Sequence, residues 1–143
     1  MLSILAFLAG ALALSSVAYS APDSIHNNSS LAPIEPKDKT GWKCDIQYAS
    51  PADIQQIWNG AGYLYQLDGK ARIGPGDHCD RVSCSWNAGI FLCNKNNFVK
   101  EVEWKQIGDA AQFLIEHCGK DGQVMGQVDF KGNWNVVVRE DPC

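Results

Sequence analysis

The sequence predicts an α+β domain: an antiparallel β-sheet with two α-helices packed on one face, stapled by disulfides. Three observations carry this. Two stretches have the apolar period of a helix, several others alternate and are joined by hairpin turns, and the chain contains six cysteines. The predicted order is helix, strands, helix, strands. Laying both helices on one sheet face would bury every apolar stripe at once.

The first 20 residues precede this domain and have another explanation. Residues 1–17, MLSILAFLAGALALSSV, hold no charged side chain, and the apolar run from Leu2 to Leu14 has the length of a signal-peptide core. A bilayer core takes about 20 apolar residues, so the run is too short to span one. Ala18-Tyr19-Ser20 places small residues where a signal peptidase reads, and cleavage is expected after Ser20. The n-region is atypical in lacking Lys and Arg. Residues 21–40, APDSIHNNSSLAPIEPKDKT, are rich in Pro, Ser, Asn and charge and show no apolar period. Such a segment buries too little surface to offset its ordering entropy, so a disordered arm is expected here. It carries two overlapping sequons, at Asn27 and Asn28, which crowding would limit to one glycan in a secreted eukaryotic chain.

Residues 41–143 are the predicted domain. Ser50, Pro51 and Asp53 read as N-cap, first position and first-turn acid of a helix. Ile54, Ile57, Trp58 and Ala61 supply its stripe, and Asn59-Gly60 its stop. Residues 63–67 and 70–73 flank Asp68-Gly69 and read as a hairpin. Residues 82–93, VSCSWNAGIFLC, read as strand. A second helix is expected over residues 104–117, with Trp104, Ile107, Ala111, Leu114 and Cys118 on one face. Glu101 and Glu103 sit at its positive end and Gly119 at its close. Cys118 would then staple helix to sheet. Residues 123–130 and 134–139 form a last hairpin around Lys131-Gly132-Asn133.

The cysteines are Cys44, Cys79, Cys84, Cys93, Cys118 and Cys143. An even count behind a signal peptide reads as three disulfides in an oxidising compartment, with fifteen pairings open. Cys44 and Cys143 bracket the domain, so long closed loops are expected. There is no C-x-x-C, and His26, His78 and His117 lack ligand spacing, which argues against zinc. The net charge of −4 gives no drive toward nucleic acid, and no run of like charge offers a membrane patch.

Catalytic signatures are sparse. G-x-S-x-G and H-E-x-x-H are absent. Gly62, Gly69 and Lys70 miss phosphate-loop spacing, with Ala71 where Ser or Thr would stand. One enzymatic reading is a small ribonuclease, with His78 and His117, or His78 and Asp80, as acid and base and Arg81 on the phosphate. Another reading is a carbohydrate- or wall-binding module. Five tryptophans are many for this length. Trp58, Trp104 and Trp134 fall on apolar stripes and are expected in the core, whereas Trp42 and Trp86 have no stripe and are the candidates for exposure.

Asp53 to Ile57, CSWNAGIFLCN, the helix ending HCG, and GQVDFKGNWNVVV before a last Cys together resemble a known group. In order and spacing over residues 44–143 the chain is similar to small cysteine-rich secreted fungal proteins, the α/β-sandwich killer toxins and the plant-pathogen effectors thought to share their fold. The resemblance implies an antiparallel sheet carrying two helices, extracellular action, no cofactor, and a protein or membrane-channel target. The chain is acidic and has fewer cysteines than the toxins, so their mechanism is not carried over. What is expected is a monomeric, non-enzymatic, effector-like protein meeting an extracellular or host-surface partner, with Trp86 and Trp42 as contacts.

Overall fold

Seven consecutive residues, Ala88–Asn94, are buried at every position, so their strand must be covered on both faces. The strand lies inside a five-stranded antiparallel sheet. Numbered along the chain, the elements are β1 (Lys39–Lys43), β2 (Ala52–Asp53), α1 (Ile54–Leu64), β3 (Lys70–Ile73), β4 (His78–Ser85), β5 (Ala88–Asn94), β6 (Lys100–Glu103), α2 (Trp104–Cys118), β7 (Gln123–Val124), β8 (Gly126–Phe130) and β9 (Trp134–Glu140). The main sheet has the order β1-β8-β9-β5-β4, and β2-β7 and β3-β6 form two short antiparallel ribbons. The computed structural model describes residues 34–143. The expected signal peptide, its cleavage point, residues 21–33 of the arm and the sequons at Asn27 and Asn28 lie outside the described residues.

Both helices pack on one face of the main sheet. Ile57, Ala61 and Leu64 of α1 and Ile107, Ala111, Phe113 and Leu114 of α2 meet Ile90, Leu92, Val128, Val136 and Val138 in one core. Each of these side chains is fully buried, worth about 1.5–3 kcal/mol for a Val, Leu, Ile or Phe. On the opposite face, Cys93 joins Cys79, and Arg139 lies over the Phe91 ring at 4.4 Å, which explains why β5 is covered there too.

Three disulfides join Cys44 to Cys118, Cys79 to Cys93 and Cys84 to Cys143. The first ties the end of β1 to the end of α2, so Cys118 staples helix to sheet. The third ties the C-terminus to β4. Two bridges close loops of 74 and 59 residues; the Cys79–Cys93 bridge closes only 14, across directly paired positions of one hairpin. Among the described residues the edge strands are β1 and β4, and each carries a bulge, between Lys39 and Gly41 and between Arg81 and Ser83. Bulges bend an edge away from further pairing.

Several boundaries differ from the sequence expectation. Asp53, not Ser50, caps α1: its Oδ1 accepts the Gln56 N–H at 3.0 Å. The cause is tertiary. Ala52 pairs with Val124, both buried, and the Ile54 N–H donates to the Gly122 carbonyl, which holds Ala52 and Asp53 extended. Asn59-Gly60 does not end the helix. Gly60 is buried in mid-helix, where a Cβ would stand 2.7 Å from Ser83 Oγ. The glycine serves close approach of α1 to β4.

Residues 63–67 are not a strand, since Tyr63 and Leu64 close α1, and β3 pairs instead with β6. Trp58 is 38% exposed rather than core, while Trp134 is buried and Trp104 packs partly buried against the core. Part of the expected arm belongs to the domain, which therefore begins before residue 41. Lys39 and Thr40 belong to β1, and Pro36 is buried.

Candidate functional site

β4 and β5 are joined by two residues, Trp86 and Asn87, with φ of 47° and 60°. Both are left-handed, as a type I′ turn requires; this turn favours Asn-Gly or Asp-Gly because a Cβ is strained there. An indole at the first position gains no such local advantage. Nor does it gain packing, since Trp86 is 84% exposed. The turn is anchored from behind: the Asp141 N–H donates to the Asn87 carbonyl at 2.8 Å, and Cys84 is bonded to Cys143.

A second ring stands at the same end of the sheet. The Glu140 N–H donates to the Ser50 carbonyl, which brings the 46–49 turn beside the end of β9 and so near the hairpin tip. The Ala49 N–H donates to the Ile46 carbonyl and closes that turn. Tyr48 is its third residue, at φ 63°, a position that favours glycine or asparagine, and its side chain is 97% exposed. Two aromatic side chains thus occupy strained backbone and bury almost nothing. Backbone strain of this kind costs about 1–3 kcal/mol and concentrates at functional sites.

Trp42 is half exposed and elsewhere. On β1, the opposite edge from β4, it packs edge-on against Phe113 and His117, with Lys39 Nζ 4.4 Å above the ring. The structure therefore does not bring Trp42 and Trp86 together.

The histidines are also apart. His78 is on edge strand β4, and His117 stacks on Phe113 beside β1, its Nδ1 at 2.9 Å from the Phe113 carbonyl. Four strand spacings of about 4.8 Å separate those edges. His78 does meet Asp80, at 2.8 Å, while the Arg81 guanidinium is held by Asp141 and the Pro142 carbonyl. His78 and His117 are thus not brought together as an acid–base pair, and Arg81 is committed to the C-terminal residues.

A groove of about 480 Å³ runs between α1 and β4, walled by Asn59 and Tyr63 on the helix and by Arg81, Ser83 and Ser85 on the strand. Sequence reasoning missed Tyr48 and Tyr63. Tyr48 lies in a stretch without period, and Tyr63 reads in sequence as part of a strand. One half-buried tyrosine is perturbed: burial, then the hydrogen bond to Asp109 Oδ1 at 2.7 Å, raises Tyr65 well above the usual phenol range. That bond fastens α1 to α2 and lies away from the hairpin tip. Among the described residues, no cluster of His, Cys, Asp and Glu is placed to hold a metal ion, and no helix is long and apolar enough to cross a membrane. No protein-family model matches the chain, and no characterised protein matches it in sequence.

Proposed function

We propose that this is a secreted, non-enzymatic, effector-like protein that acts by binding an extracellular or host-surface partner through the Trp86 hairpin. One observation carries the reading: an indole 84% exposed on left-handed backbone, at a tip anchored by a disulfide. Exposed aromatic side chains on rigid supports are common anchors of interfaces, because they bury much area with little loss of side-chain freedom. Tyr48 at the same end extends the surface. Three disulfides and the charge-free leader sequence support export.

The test uses mature protein recovered from culture medium, where N-terminal sequencing should begin at Ala21. Wild type, bearing a photo-crosslinker on a lysine, should label a saturable partner on the target cell surface, and Trp86→Asn should abolish labelling while keeping the fold. The rival reading forecasts hydrolysis of RNA by pure wild type, lost in both His78→Ala and His117→Ala. That result would overturn the proposal.

A further inference from the structure

We infer that the groove between α1 and β4 binds a neutral oligosaccharide. Its shape comes from Gly60: the missing side chain lets the helix rest on Ser83 and Ile90, and the walls open above that contact. The volume, about 480 Å³, falls in the range of small-molecule sites.

The lining matches a polyol. Saccharide hydroxyls each need a donor and an acceptor, and the C–H faces of a sugar ring pack on an aromatic side chain. The Ser83 hydroxyl can donate and accept, and Ser85 Oγ accepts while its proton goes to Gln56 Oε1. The Asn59 amide, which donates to Gln56 Oε1 and accepts from Gln55 Nε2, keeps a second proton and a second lone pair for a ligand. Tyr63 is 52% exposed and contributes a ring to the same wall. The charge balance selects a neutral ligand. Arg81 is the one charged residue of the lining, and Asp141 and the Pro142 carbonyl already engage its guanidinium.

The walls are also held in place before any ligand arrives. Cys84, beneath the groove, is bonded to Cys143, and Ser85 Oγ donates to Gln56 Oε1 across from strand to helix at 3.2 Å. Pre-set polar groups lower the ordering cost of binding. The inference rests on the extracellular reading only for where the ligand is met; occupancy of the groove is a separate question from capture by Trp86.

The experiment is an NMR titration of ¹⁵N-labelled mature protein with cellohexaose, chitohexaose and mannohexaose, and with an acidic oligogalacturonate. One neutral series should saturate and shift the amides of Asn59, Tyr63, Ser83 and Ser85. Tyr63→Ala should weaken it roughly tenfold, about the loss of one stacked ring. Asn59→Ala, a surface change, should weaken it as well.

Retention on glucan or chitin particles assigns the sugar to a wall polysaccharide. Capture of a glycoprotein that disappears after its enzymatic deglycosylation assigns it to a glycoprotein. No groove shift with any neutral series up to about 10 mM, equal affinity in both variants, or tighter binding of the acidic oligomer overturns the inference. If Trp86→Asn abolishes partner capture and the groove variants change nothing, the groove reading fails alone. If the groove variants abolish sugar binding and Trp86→Asn leaves capture intact, the hairpin reading fails alone.

Discussion

Replacing Trp86 by Asn should leave the stability of the domain nearly unchanged, although it removes the largest kind of side chain. Trp86 is 84% exposed, so about one sixth of its surface is covered. For a side chain of ~250 Å² that is ~40 Å², or about 1 kcal/mol at ~25 cal/mol per Å². Against this loss stands the backbone. Trp86 has φ 47°, and left-handed geometry costs an L-residue about 1–2 kcal/mol, a strain that Asn tolerates better than Trp. The two terms offset to within about 1 kcal/mol. Trp134 is the internal control. It is 4% exposed and stacked on Phe130 at 4.0 Å, so Trp134→Ala should cost about 3–5 kcal/mol. Guanidinium unfolding of the oxidised proteins, followed by far-UV circular dichroism, reads both values. A loss above ~2 kcal/mol in Trp86→Asn would show that the indole is part of the packing. The argument that it is retained for contact would then collapse.

Three further outcomes follow from the same structure. In the loop-entropy account, paired Cys→Ser changes at Cys84 and Cys143 should cost about 4 kcal/mol, and those at Cys79 and Cys93 about 3 kcal/mol, because the closed loops span 59 and 14 residues. Equilibrium unfolding that reversed the order would count against it. Tyr65 is a neutral acid whose pKa is raised by burial and by Asp109, so folding favours the protonated phenol. Its stabilisation is complete below the ordinary phenol range near pH 10 and is lost as pH climbs toward the folded value. Melting scans should show an alkaline fall in Tm that is smaller in Tyr65→Phe. Truncation to a start at Trp42 should lower Tm by many degrees, because it deletes Lys39 and Thr40 from β1 and the buried Pro36. A start at Ile34 should not, and differential scanning calorimetry separates the two.

The elements legible in the sequence are those whose fate is decided locally. The expected and observed bounds of α2 agree to within one residue at each end, because its stripe runs for four turns and Gly119 follows it. The last hairpin is legible too, with its turn at residues 131–133, but residues 123–124 leave the expected strand and pair with β2, so that only Gly126–Phe130 faces β9. The misread elements were settled by distant partners. α1 begins at Ile54 because Val124, 72 positions after Ala52, pulls the cap residues into a ribbon. Gly60 looks like a stop in one dimension and is a contact in three, since its neighbour Ser83 belongs to another element. YLYQL alternates like a strand, yet the burial of Leu64 against the core completes the helix. The pairing of cysteines is of the same kind: each partner is chosen by the sheet order, which spacing does not encode.

The same division runs through the candidate surface. Trp86 is readable as exposed because it lies on no apolar stripe, although residues 82–93 read in sequence as strand; the two-residue turn between β4 and β5 is what lifts the ring into solvent. Trp42 was half readable: it is exposed, but the α2 ring of Phe113 and the β1 cation of Lys39 claim it for the fold. The groove had no local signature at all. Tyr63 and Asn59 reach it from one turn region of α1, Ser83 and Ser85 from alternate positions of β4, and only the docking of helix on strand at Gly60 sets them face to face. A binding site made by two elements becomes visible when the packing between them is known, and the residue that makes the packing possible is a glycine with no chemistry of its own.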